Sequence, residues 1–129
     1  MRYLILAAAL ALASPVAAQV VKPVLAADLP NAPGKTMTVI TVTYAPGEKS
    51  GSHRHADSAF IYARVLSGHI RSEVAGQGPV KDYGPGEGWT EGANAHHLVS
   101  ENASATEPAS LLVVIVANAG APLTTMDPK

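Results

Sequence analysis

The chain has 129 residues, 47% of them hydrophobic, with 9 Lys and Arg against 10 Asp and Glu and a formal charge of −1. That length and composition fit one domain with an ordinary core, and the near-neutral balance without a basic patch argues against nucleic acid as a partner. With no cysteine in the chain, disulfides, thiolate metal ligands and a thiol-linked lipid anchor are excluded.

The chain opens on MRYLILAAALALASPVAAQ, with Arg2, an apolar run from Leu4 to Ala13, a Ser14-Pro15 break and small residues at Val16 and Ala18. This pattern reads as a secretory signal peptide over residues 1–18, cleaved before Gln19. The run is shorter than the ~20 residues of a spanning helix, so the expected product is periplasmic or secreted, with no membrane association after cleavage. It would carry eight Lys and Arg against ten Asp and Glu.

From Gln19 to Lys35, Pro23, Pro30 and Pro33 suggest an extended arm. TMTVITVTY, Thr36 to Tyr44, is rich in β-branched residues and stops at Pro46-Gly47. Short apolar runs follow at Phe60–Leu66, His69–Val74, Val80–Tyr83, His97–Ser100 and Leu111–Ala117, punctuated by Gly and Pro. SENASATEPAS, Ser100 to Ser110, reads as an exposed loop in which Asn102-Ala103-Ser104 is only nominally a glycosylation acceptor. The stretch from Gly120 to Lys129 reads as a loose tail after a barrel over 36–118. Short strands at close spacing without a helical period predict a small all-β sandwich or barrel.

The chemistry concentrates in SHRHADSA and NAHHLVSEN. A strand's two-residue period sends His53, His55 and Asp57 to one face, so two imidazoles converge on one ion. A third imidazole must come from elsewhere, and His96 and His97 are the candidates, with opposite parity. Imidazole without thiolate suits iron, manganese, nickel, copper, cobalt or zinc rather than calcium or magnesium. Tyr62 is a candidate to present its hydroxyl to a bound substrate, and Trp89 and Phe60 are read as core or pocket wall.

Gly47, His53-Arg54-His55 and Gly68, followed by Gly86, Glu91-Gly92-Ala93-Asn94-Ala95-His96-His97 and Asn102, resemble the two motifs of the cupin family. The resemblance runs from about Thr36 to Ala117 and is closest to short exported single-domain cupins. It implies a double-stranded β-helix, or jelly-roll barrel, with a divalent transition metal held inside by His53, His55 and His97, and homodimers are common in the family. His96 then faces away or supports a ligand from behind.

Two departures stand out. The usual glutamate, three or four residues after the His-x-His pair, is absent, Ala59-Phe60 standing there. The interval to Gly68 is also about two residues longer, which predicts a bulge or shifted register. Gly92 and Asn94 stand where the family usually has proline and glycine. Three neutral imidazoles leave a divalent charge uncompensated, and Asp57 and Glu91 are the carboxylates within reach, Asp57 in a turn setting and Glu91 as a rim or supporting group.

Two functions of different class follow. One is an enzyme whose open metal positions take a small oxygenated compound and either activate dioxygen or act as a Lewis acid. The other is a non-catalytic metal- or small-ligand-binding module with a degenerate metal site.

Overall fold

A computed structural model describes residues 19–129, and the leader read at residues 1–18 lies outside them. Eleven strands and no helix form two antiparallel sheets that face each other across one interior. The first sheet has the order β1 (Val20–Asp28), β2 (Lys35–Tyr44), β10 (Ala109–Asn118), β5 (Phe60–Ser67) and β8 (Gly88–Glu91). The second has the order β11 (Thr124–Met126), β4 (His53–His55), β9 (His96–Asn102), β6 (Ile70–Val74) and β7 (Lys81–Tyr83), with β3 (Lys49–Ser50) also paired to β9. From β4 to β11 the chain crosses between the sheets at every step except β6 to β7, as in the jelly-roll expectation.

The two-residue period decides what faces inward. In β5, Ile61, Ala63 and Val65 are buried while Phe60, Tyr62 and Arg64 are exposed. In β4, His53 and His55 are buried and Arg54 is exposed. One apolar cluster joins Val42, Tyr44, Val65, Ile70, Trp89 and Leu111, and a smaller one joins Ala59, Ile61, Ile115 and Ala117. Ile61, Ile70 and Val65 are the largest fully buried side chains, each at most 1% exposed.

Several expectations are corrected. The arm is largely a strand: Val20–Asp28 pairs antiparallel with β2, and Pro23, which cannot donate to a ladder, sits at a register shift on the sheet edge. The tail is not loose, because Thr124–Met126 pairs with His53–His55. The polar loop begins later than expected: Ser100 to Asn102 completes β9, and Asn102 is buried, its amide donating to the carbonyls of Ala45 and Glu107. A buried, bonded amide is not a glycan acceptor.

The lengthened interval appears as a register shift between Ser110 and Leu111, opposite Ser67 and Val65, which leaves Leu66 bulged and exposed. Gly68 follows at φ 67°, where a Cβ would lie 2.6 Å from the Pro108 carbonyl oxygen. Asn94 takes φ 52°, a left-handed conformation that asparagine tolerates better than most residues. It therefore fills the role of the family's glycine without disturbing the loop that delivers His97.

Candidate metal centre

His53, His55 and His97 meet because β4 and β9 are paired strands with His53 directly opposite His97. Their ring centroids are 4.9 Å apart for His53 and His55, 5.0 Å for His53 and His97, and 6.3 Å for His55 and His97. All three are buried, and one nitrogen from each lies within 4.8 Å of the others, a spacing that can hold a metal ion.

The backbone sets which nitrogen is free. His53 Nδ1–H donates to the Gly51 carbonyl at 2.8 Å and His55 Nδ1–H to the Leu123 carbonyl at 2.9 Å, so each presents Nε2 as a lone pair. His97 Nε2 lies 2.8 Å from Ser72 Oγ, and the tautomer that donates to this hydroxyl presents Nδ1 as its lone pair. These tautomers are assigned from the hydrogen-bond network.

A carboxylate closes the arrangement from the opposite sheet. Glu91, on β8, is 2% exposed and reaches across the interior. Its Oε1 accepts from Trp89 Nε1–H at 3.0 Å and lies 3.4 Å from His97 Nδ1, while its Oε2 lies 3.2 Å from His55 Nε2. With neutral His55 carrying its one proton on Nδ1, Oε2 is the one buried side-chain polar atom without a hydrogen bond among the described residues, and only a doubly protonated His55 would donate to it. Buried polar atoms are rarely left so. A carboxylate oxygen and two imidazole lone pairs turned toward one another call for a cation between them, so these residues fit a divalent transition metal.

The same geometry governs the ionisation of the ion-free site. Burial pushes His97 down to about 4, although the Glu91 charge opposes it. His53 is also lowered, first by burial. Burial works against the charged form of His55 too, but the Glu91 carboxylate and the Leu123 carbonyl outweigh it and the net shift is upward. Glu91 is raised by burial but lowered more by His55, His97 and Trp89, and ends below the ordinary carboxyl range. At neutral pH His97 is therefore a free base and Glu91 an anion, the forms that metals bind.

The remaining candidates lie elsewhere. Asp57 is exposed in the turn after β4, because the chain leaves the extended conformation at Ala56 and the parity argument ends there. Tyr62 and Phe60 face outward from β5, at 38% and 57% exposure, so neither reaches the interior. His96 points away from the centre, with Nε2 2.6 Å from Asp127 Oδ2 and 3.2 Å from Ser52 Oγ. Trp89 is in the interior wall as expected.

Two contributions escaped the sequence. Tyr44 is buried with its hydroxyl 2.5 Å from Ser50 Oγ and 2.9 Å from Ser100 Oγ, and all three line the cavity beside the histidines. The C-terminal strand β11 supplies Thr124 and Met126 to the same cavity and, just before it, the Leu123 carbonyl that orients His55. Asp127 fastens this strand through Ser52, whose carbonyl accepts the Asp127 N–H at 3.0 Å and whose hydroxyl donates to the Asp127 carboxylate. Deleting residues 123–129 should leave the barrel folded but weaken metal binding about 10- to 100-fold, as loss of groups that orient a ligand does. Far-UV circular dichroism and a metal titration would check both halves.

Comparison with known proteins follows from this geometry. A family model described as "Cupin domain" matches residues 40–115. Among solved structures, an uncharacterized conserved protein with a double-stranded beta-helix domain from Klebsiella pneumoniae aligns with TM-score 0.64 at 21% identity, over 87% of this chain and 86% of that one. The cupin domain of an XRE-family transcriptional regulator from Enterobacter cloacae aligns with TM-score 0.60 at 21% identity, over 88% and 100%. A recombinant oxalate oxidase in complex with glycolate aligns with TM-score 0.63 at 18% identity, over 88% of this chain and 56% of that one. At these identities the likeness is one of fold. No curated protein matches the chain.

Proposed function

Because the chain belongs to the cupin family, we propose that it binds one divalent transition metal through His53, His55 and His97, with Glu91 as its carboxylate partner. We take it to be a metal-dependent enzyme acting on a small oxygenated compound, and we place it outside the cytoplasm on the leader read at residues 1–18. The observation that carries the metal reading is the buried Glu91 carboxylate, whose Oε2 has no hydrogen bond and lies beside His55 Nε2, on a ring whose other nitrogen is committed to the Leu123 carbonyl.

The metal supplies Lewis acidity and, if it is a redox ion, an electron path. The protein's part is physical. Gly51 and Leu123 fix the ring orientations of His53 and His55, and Ser72 holds the outer nitrogen of His97. Glu91 cancels one unit of a divalent charge that three neutral rings would leave whole. Trp89 holds the carboxylate in place through Oε1. The apolar sheet opposite keeps bulk water from the histidine wall, which strengthens every charge interaction there.

Cobalt(II) added to metal-free protein should produce a visible absorption band that saturates at one equivalent. At free cobalt a hundred times its Kd, the folded state should gain about 2.7 kcal/mol, read as a rise in Tm. No band and no change in Tm would overturn the metal reading and favour the non-catalytic ligand-binding module.

A further inference from the structure

The cavity between the sheets holds about 430 Å³, within the range of small-molecule sites. Its two walls differ in kind. The six-stranded sheet supplies the three histidines with the Ser50 and Ser100 hydroxyls; the five-stranded sheet supplies Glu91, which reaches across to the histidines, the Tyr44 hydroxyl and an apolar face of Val42, Ile61, Ala63, Leu111, Val113 and Ile115. Apolar groups also flank the lining, since Val21 on β1 and Met126 on β11 both border the cavity and are 48% and 56% exposed.

The charge of the lining is as informative as its shape. No arginine borders the cavity, and its one lysine, Lys49, is exposed, while its two carboxylates, Glu48 and Glu91, are buried. The arginines of the neighbouring strands are directed elsewhere: Arg54 and Arg64 are exposed on outward-facing positions, and Arg71 pairs with Glu101 at 3.0 Å. Glu91 would cancel one unit of a divalent ion's charge, which leaves one unit for a singly charged chelating end and no buried positive charge for a second anionic group. A carboxylate or phosphate on the far end of a ligand would be desolvated against Val113 and Ile115 without a partner, which is costly.

From this we infer the ligand class: a neutral or singly charged molecule with one oxygen-donor chelating end and an apolar body, not a dicarboxylate or a phosphorylated compound. The chelating end meets the histidine wall, and the body lies along the inner face of the five-stranded sheet. The inference rests on the metal reading above.

Alkyl hydroxamic acids test it, because they are singly charged oxygen chelators with a tail of adjustable length. Cobalt-loaded protein would be titrated by calorimetry with acetohydroxamic, butyrohydroxamic and hexanohydroxamic acid. Octanohydroxamic acid would then be compared with suberic monohydroxamic acid, which has the same head and length but ends in a carboxylate. Affinity should rise about fourfold per added methylene until the cavity is filled. The carboxylate-ended compound should bind at least tenfold more weakly than its alkyl counterpart. Ile40→Ala, which trims the half-buried end of the apolar wall, should reduce the gain per methylene. A flat series, or tighter binding of the carboxylate-ended compound, with one cobalt per chain confirmed beforehand, would overturn the ligand class and leave the metal reading standing. Failure of the protein to hold cobalt at all would overturn both.

Discussion

Glu91→Gln should lower the affinity of the site for a divalent metal about 10- to 100-fold while leaving the metal-free protein folded. The amide keeps the volume and the carbonyl oxygen that accepts from Trp89 Nε1, so the local packing survives. What it loses is the negative charge 3.2 Å from His55 Nε2, and with it the compensation for a divalent ion. It also removes an anion that His55, His97 and Trp89 hold below the ordinary carboxyl range, so the metal-free fold should lose part of its stability at neutral pH. Competition with a chromogenic chelator would measure the affinity, and thermal unfolding without metal would measure the fold. An unchanged affinity would reduce Glu91 to an anchor for Trp89.

Metal-free protein should lose on the order of 3 kcal/mol of stability between pH 6.5 and pH 4 through His97 alone. The ring is depressed from 6.5 to about 4 in the folded state, chiefly by burial. The unfolded chain therefore takes up a proton across that interval and the folded chain does not. The stability is present in full above the unfolded value and is lost as pH falls toward the folded one. His53, lowered for the same reason, adds to the loss. His55, raised by Glu91, acts oppositely, contributing stability in acid that fades as pH rises through its folded value. Urea unfolding at a series of pH values would show the slope, and His97→Gln should flatten it. An equal slope in that variant would place the titration elsewhere.

How much of this was legible in the sequence depended on whether a residue's orientation was set locally. β2, β5 and β10 announced themselves through β-branched runs, and the pairing of His53 with His55 followed from the strand period alone. The arm and tail did not read as strands because β1 and β11 are exposed on both faces and so lack the alternation that reveals a half-buried strand. β8 is only four residues long and begins at a glycine, too short for any period to show. Glu91 faces the histidines because β8 pairs with β5, placing Glu91 opposite Ile61, and that long-range register has no signature in the GWTE stretch. Phe60 shows the cost of one residue: burial of Ala59 and Ile61 turns the larger neighbour out to solvent. Asp57 failed for a related reason, since the strand ended at His55 and its parity with it.

The site thus recovers a carboxylate that the His-x-His motif lacks, from a strand of the facing sheet. In the expected place stands Ala59, packed into the smaller apolar cluster. A carboxylate on β8 rather than after the His-x-His pair keeps a negative charge at the centre, beside Ile61 on the five-stranded sheet.

The most direct test of this account is elemental analysis of the protein purified from its native source without chelator or a histidine tag, beside a His53→Ala, His97→Ala double variant. The account predicts one iron, manganese, nickel, copper, cobalt or zinc per chain in the natural protein and none in the variant. Protein that is folded and metal-free in both forms would contradict it.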